Sequence, residues 1–302
     1  MFRRIKSFGP LFIIIAALLW SFDAVLRRSL YSLPPAVVVF YEHLFGAIIL
    51  IPLFKKWSSD LAKMGKKEWI AIIIVSLFSG ALGTIFYTAA LGKVNYIQYS
   101  VVVLLQQLQP IWAISAAYLI VKEKRSKKFL IWAALALASA YFITFRDLQV
   151  NFSTGTGTIV AAVLALSAGF MWGASTAISK FVLNKVSFMT AIALRFYLAP
   201  IFAFLIIFIN RQSSALLSLN TNQLITLVLI TFSTGFVALA IYYYGLKKVP
   251  ASSSTIYELV WPASAIFIDY FYYKSTFSIT QFIGVFVLLI SIYKITRLKV
   301  NQ

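Results

Sequence analysis

Long apolar runs separated by short polar links extend along the whole chain. A helix needs about 20 mostly apolar residues to cross the hydrocarbon core of a bilayer. Marking runs of that length predicts ten membrane helices, at residues 9–28, 36–54, 69–90, 96–120, 128–145, 156–180, 188–209, 222–245, 251–272 and 279–296. The links leave no room for a water-soluble domain. The pattern therefore predicts an all-α integral membrane protein.

The composition narrows the function classes. Of the 302 residues, 61% are hydrophobic and 12% are charged, and a soluble domain cannot cover that much apolar surface with so few charges. The chain has no cysteine and one histidine, which excludes thiolate metal sites and a site built from several imidazoles. It contains no Walker, HExxH or GxSxG motif and no acidic metal cluster. We therefore expect no enzyme, no cofactor and no bound metal.

The net charge of +19 has a membrane explanation. If the N-terminus is cytoplasmic, twenty lysines and arginines fall in inside segments and six in outside segments, which is the positive-inside bias. This predicts a multi-pass protein of the plasma (or bacterial inner) membrane with both termini cytoplasmic. The basic loop KEKRSKK at residues 122–128 is expected to contact anionic lipid. Nucleic acid is not an expected partner.

The two halves of the chain resemble each other. Trp20 and Trp172 are 152 positions apart, and so are Pro110 and Pro262. The segment LGKV matches LKKV 155 positions later. Each half holds five predicted helices, and an odd number turns the second half over in the membrane. The sequence thus predicts two inverted repeats, 1–150 and 151–302, a construction common in secondary transporters.

These features resemble the drug/metabolite transporter superfamily, EamA type. The resemblance rests on the first-helix tryptophan of each half, the LGKV and LKKV segments, the two prolines, the ending LIVKEK with Glu123, and QFIGVFVLLIS near the C-terminus. It implies ten helices, alternating access and export of small metabolites such as amino acids. Two positions depart from the family pattern. YYKSTFS stands where a second-half glutamate is expected, and Glu42-His43 stands where arginine is common.

Three glutamines interrupt the apolar run LLQQLQPIW just before Pro110. A polar group buried in hydrocarbon is costly without a partner, so such residues are candidates for a transport pathway. Gln106 and Gln109 are three positions apart and share a helix face, whereas Gln107 lies about 100° away and is interpreted as a helix–helix contact. The 152-residue offset places Glu258 and Trp261 at the matching positions before Pro262.

Aromatic residues and one arginine complete the predicted site. Tyr99 extends the glutamine stripe, and Tyr87 and Tyr242 match at the 155-residue offset. Arg195 either binds a substrate carboxylate or neutralises Glu258. The predicted substrate-binding residues are Gln106, Gln109, Trp20, Trp172, Glu258, Trp261, Tyr87, Tyr242, Tyr99 and Arg195.

Charged residues in the first two helices are candidates for coupling or gating. Asp23 and Arg27 are spaced i, i+4, which suits an ion pair. Glu42 is expected to meet Arg27 or Arg28. His43 changes charge near neutral pH, which makes protons a candidate coupling ion. The alternative for each of these residues is a structural ion pair or hydrogen bond near the membrane surface.

The leading function is a secondary exporter of small metabolites such as amino acids. A carrier of sugar-phosphate or lipid-linked substrates is the second transport hypothesis, although only Arg195 supplies a basic group at depth. A non-transporting membrane sensor or scaffold is the alternative from another class. The sequence carries no signal for an oligomeric state.

Overall fold

The regular structure is helical throughout the part of the chain that the computed structural model describes, residues 8–93, 105–144, 147, 157–264 and 278–298. Its α-helices are α1 Gly9–Trp20, α2 Asp23–Arg28, α3 Pro35–Leu50, α4 Phe54–Ser58, α5 Lys66–Val75, α6 Gly83–Leu91, α7 Gln109–Ile120, α8 Lys127–Thr144, α9 Gly157–Leu183, α10 Phe188–Ile209, α11 Thr221–Ile230, α12 Phe236–Leu246, α13 Ala251–Tyr257 and α14 Ile279–Arg297.

Seven stretches of these helices are long and apolar enough to cross a membrane. They are Gly9–Arg27, Lys66–Leu91, Lys127–Thr144, Ile159–Leu183, Phe188–Ile209, Thr221–Leu246 and Ile279–Arg297. The predicted helix 36–54 ends at Leu50, and the following stretch Phe54–Lys63 turns by 94°. Pro52 has no backbone N–H with which to continue the helical hydrogen bonds. The predicted spans 96–120 and 251–272 lie partly outside the described residues.

Two of the long helices contain a π-helical segment at equivalent positions. Ser76–Leu82 joins α5 to α6, and Thr231–Gly235 joins α11 to α12, starting 155 residues later. Such segments free backbone carbonyls and are frequent at functional sites. The Ser79 carbonyl accepts a hydrogen bond from the Arg195 guanidinium, and the Thr234 carbonyl accepts one from the Trp20 indole, both at 2.9 Å.

Apolar side chains cover the outside of the helix assembly and polar side chains lie within it. Phe208 and Phe286 are each 66% exposed, as befits side chains that contact lipid. By contrast, Arg27, Glu42 and His43 are buried. Ionisable groups at membrane depth face the bundle interior because hydrocarbon cannot solvate them. The fold therefore places these three ionisable side chains in its interior.

Candidate functional site

A cavity of about 160 Å³ lies among the polar interior side chains. Every predicted site residue that the structure describes lines it, whereas Tyr99 lies outside the described residues. The predicted residues at its surface are Trp20, Asp23, Arg27, Glu42, His43, Tyr87, Gln106, Gln109, Trp172, Arg195, Tyr242, Glu258 and Trp261. Residues far apart in sequence thus meet at one place.

A chain of hydrogen bonds joins the two halves of the sequence at this cavity. The Gln106 amide donates to Gln109 Oε1 at 3.0 Å, and the Gln109 amide donates to Glu258 Oε2 at 2.9 Å. The Tyr242 hydroxyl donates to the other Glu258 oxygen at 2.7 Å. Glu258 is held by these neutral donors, and no basic side chain pairs with it among the described residues. Hydrogen bonds to a carboxylate are stronger than those between neutral groups.

The glutamines are positioned by a break in the helix and by two glycines. Gln107 and Leu108 form a turn before α7, because Pro110 cannot donate the hydrogen bond that would continue a helix through this region. Gly169 and Gly173 of α9 let the backbone approach closely. A Cβ at Gly169 would lie 2.8 Å from the Gln106 carbonyl oxygen, and a Cβ at Gly173 would lie 2.6 Å from the Gln109 carbonyl oxygen. Small residues spaced by four commonly allow such contacts between membrane helices.

Aromatic rings form two walls of the cavity. Trp20 contacts Tyr242, with ring centroids 5.1 Å apart. Tyr87 contacts Trp172 at 5.2 Å and Trp261 at 6.2 Å. These separations are typical of favourable aromatic pairs. Each wall combines a tryptophan from one half of the chain with a tyrosine from the other half.

One end of the cavity holds a buried cluster of charges. Arg27 bonds the Asp23 carboxylate through Nε and the Glu42 carboxylate through Nη2, the latter at 2.7 Å. The Thr234 hydroxyl donates to Asp23 at 2.6 Å. The predicted Asp23–Arg27 pair and the Glu42–Arg27 contact are both present. Sequence reasoning missed Thr234, although its position in TFSTG, 155 residues after Ser79 in SLFSG, was a usable signal.

Arg195 and His43 lie on another side of the cavity. Arg195 donates to the Ser79 carbonyl and, at 3.4 Å, to the Tyr243 hydroxyl. It makes no ion pair with Glu258, so the prediction that it neutralises this carboxylate is wrong, because the π-helical segment holds its guanidinium elsewhere. The His43 ring contacts the Phe196 ring and its Nδ1 lies 3.0 Å from a backbone carbonyl.

Tyr243 and Gln107 also line the cavity, although neither is among the predicted substrate-binding residues. Tyr243 is 1% exposed and its hydroxyl lies 3.0 Å from that of Ser179. Gln107 was interpreted as a contact between helices. It instead lines the cavity, and among the described residues neither of its amide atoms has a hydrogen-bond partner. The turn at Gln107 removes the helical spacing on which that interpretation rested.

Helix α13 ends just before Glu258, and its N-terminus is anchored by the loop after α7. The Glu123 carboxylate accepts hydrogen bonds from the first two backbone N–H groups of α13 at 2.8 and 3.1 Å. Arg125 donates to the Ser252 and Ser253 hydroxyls. A carboxylate at a helix N-terminus satisfies free N–H groups and complements the helix dipole. The loop and α13 are thus held together.

Comparison with known proteins identifies the family of the chain. The sequence profile of the EamA-like transporter family matches residues 7–145 and again residues 159–297. The chain is 34% identical over 293 residues to the riboflavin transporter ImpX of Fusobacterium nucleatum, covering 96% of this chain and 98% of that protein. It is 25% identical over 279 residues to protein LicB of Haemophilus influenzae, covering 88% and 89%.

A structural comparison agrees at the level of the fold. One solved crystal structure matches with a TM-score of 0.74 at 15% identity, covering 97% of this chain and 100% of that chain. At that identity the match shows the fold alone. The predicted family resemblance is confirmed by the profile matches, which together span most of the sequence. The chain is a multi-pass membrane protein that belongs to the EamA-like transporter family.

Proposed function

We propose that the protein is a secondary transporter that carries a neutral, planar heteroaromatic metabolite of the flavin kind through the central cavity by alternating access. The observation that carries this proposal is the combination of aromatic rings and buried amide groups in one cavity. The similarity to a riboflavin transporter over 96% of the chain supports flavin as the substrate class.

The chemistry of the cavity suits a flat, uncharged ring system. Stacking of a planar heterocycle on an aromatic side chain contributes about 1–3 kcal/mol, and Trp20 and Trp172 both line the cavity. A glutamine network is formed by the hydrogen-bonded side chains of Gln106, Gln109 and Glu258. Its amides supply donors and acceptors for the polar edge of a substrate ring. A neutral substrate also needs no counter-charge. Arg27 is already paired with two carboxylates, which weighs against a sugar-phosphate or lipid-linked substrate.

The volume of the cavity favours a second candidate. About 160 Å³ is below the roughly 300–1,000 Å³ of most ligand pockets. A flavin therefore requires the cavity to widen during the cycle, whereas a small amino acid does not. Arg195 has an unpartnered Nε and Glu258 has no cationic partner among the described residues. These two groups offer opposite charges to a zwitterion, so export of amino acids is the second candidate function.

The proposed architecture is ten helices in two inverted repeats, 1–150 and 151–302, in the plasma membrane with both termini cytoplasmic. Three observations support it. The family profile matches the chain twice, and the π-helical segments start 155 residues apart. The ring contact between Trp20 and Tyr242 is also the repeat equivalent of that between Trp172 and Tyr87. The basic loop after α7 would then contact anionic lipid on the cytoplasmic side.

We assign gating of the cavity and proton coupling of transport to the buried charged residues that line it. Asp23, Arg27 and Glu42 connect α2 with α3, and Thr234 extends the cluster to the segment before α12. Breaking these contacts would separate the two halves there. His43 is the proposed site of proton coupling, because its ring lines the same cavity. An imposed pH gradient that changes the rate of substrate flux would support this role.

Flux through proteoliposomes tests the proposed function. Purified protein should show saturable riboflavin counterflow, followed by the fluorescence of the vitamin. The double variant Gln106→Leu, Gln109→Leu should lose most of this flux because it removes the amide network. Gln212→Leu, a glutamine outside the cavity, serves as the matched control. Flux of an amino acid without riboflavin flux would favour the second candidate. Absence of counterflow with every metabolite tried would favour the sensor or scaffold hypothesis.

A further inference from the structure

Gln107 is a polar side chain of the cavity for which the contacts of the described residues give no role. It is 3% exposed and lines the cavity. Neither Nε2 nor Oε1 has a hydrogen-bond partner among the described residues. Burying both a donor and an acceptor without partners is costly, and native proteins rarely do so outside functional sites.

Its neighbours Gln106 and Gln109 differ in this respect. Gln109 uses both of its amide atoms, one with Gln106 and one with Glu258. Among the described residues Gln106 Oε1 has no hydrogen-bond partner, but its Nε2 is engaged. Of the three glutamines, Gln107 is the one whose donor and acceptor are both unpartnered within this part of the chain. A ligand can therefore pair with Gln107 without breaking the hydrogen bonds that join the halves of the chain.

The paired atoms of a primary amide select a particular partner. A carboxylate or phosphate would satisfy Nε2 alone, and an ammonium group would satisfy Oε1 alone. A –CO–NH– unit held in the cis geometry of a ring satisfies both atoms at once. Flavins carry this unit as an imide, –CO–NH–CO–, on the edge of the ring system. The second imide carbonyl needs another donor, and the buried Trp261 Nε1, which lines the same cavity, has no partner among the residues that the structure describes.

We propose that Gln107 recognises the imide edge of the substrate through two parallel hydrogen bonds, and that it is the residue that selects flavin-like heterocycles. This inference rests on the proposed function, since it assigns a recognition group within the same site. A site built to hydrogen-bond a substrate N–H discriminates strongly against an analogue that lacks it, because its own polar atoms are then left unpaired.

Binding of two related ligands tests the inference. Riboflavin and 3-methylriboflavin, in which a methyl group replaces the imide proton, are titrated against the purified full-length protein by flavin fluorescence. The wild type should bind riboflavin about tenfold to hundredfold more tightly than the methyl analogue. Gln107→Met, which keeps the length of the side chain, should bind both ligands with similar affinity. Gln212→Met, the matched control outside the cavity, should keep the preference of the wild type.

Each outcome has a definite meaning. Equal affinity of the wild type for the two ligands overturns the role of Gln107 while leaving riboflavin as a substrate. An unchanged preference in Gln107→Met assigns imide recognition to another group and likewise overturns it. Binding of neither ligand by the wild type removes the proposed function, and the inference with it. Gln107→Glu, which has the same shape but lacks the donor, provides a second variant in case Gln107→Met does not fold.

Discussion

Replacing Gly173 by alanine should disturb the glutamine network without touching a glutamine. The added Cβ would lie 2.6 Å from the Gln109 carbonyl oxygen and 2.9 Å from the Trp112 Cβ, whereas ordinary contacts begin near 3.4 Å. The two backbones must therefore separate by about 0.8 Å. Overpacking of this kind costs about 1–3 kcal/mol in stability. A shift of that size along the bond from Gln109 to Glu258 would stretch it from 2.9 Å to about 3.7 Å, beyond hydrogen-bonding distance.

Two measurements check the effect of Gly173→Ala. Thermal unfolding in detergent should occur at a lower temperature than in the wild type, and riboflavin affinity should fall about tenfold with the loss of one hydrogen bond to a charged group. Gly92→Ala is the matched control, because its Cβ would meet nothing closer than 3.5 Å. Unchanged stability and affinity in Gly173→Ala would refute the claim that this glycine positions the network.

Three further predictions concern charged groups. Arg27→Met should destabilise the protein by about 3–5 kcal/mol, because it leaves Asp23 and Glu42 buried without a counter-charge. The triple variant that also carries Asp23→Asn and Glu42→Gln should regain much of that stability in thermal unfolding. The pKa of Asp60, in the loop after α4, is held below its ordinary value, chiefly by the hydrogen bond from a nearby lysine. Asp60→Asn should therefore lower the unfolding temperature at pH 7. The difference should shrink as the pH falls below about 4, because the carboxylate of the unfolded chain takes up a proton there while the folded one does not. Glu123→Gln should weaken the N-terminal cap of α13 by about 1 kcal/mol, seen as a modest fall in unfolding temperature while Lys124→Gln leaves it unchanged.

The sequence anticipated the meeting of Gln106, Gln109 and Glu258 for a physical reason. Polar groups in an apolar run must find one another, and the repeat offset indicated which of them occupy equivalent positions. Offsets of 155 and 152 residues likewise paired Tyr87 with Tyr242 and Trp20 with Trp172. In the structure all of these side chains line the same cavity.

Other features depended on local backbone geometry that the pattern does not report. The helical period placed Gln107 on a different face, but the turn before Pro110 ends the regular spacing there. The π-helical segments freed the Ser79 carbonyl, which then took up the guanidinium of Arg195. A uniform helix would have kept that carbonyl within its own hydrogen-bond ladder. Hydrophobic periodicity cannot distinguish an α-helical turn from a π-helical one.

The hydrogen bond between Gln109 and Glu258 links substrate affinity to conformational equilibrium. It joins α7 to the residue that follows α13, and it lies at the surface of the cavity. A ligand that pairs with Gln107 leaves this bond intact, so its binding favours the conformations in which the bond is made. By reciprocity, a change that weakens the bond, such as Gly173→Ala, should lower the affinity for that ligand. Release of the ligand and separation of Gln109 from Glu258 are then two parts of one conformational step.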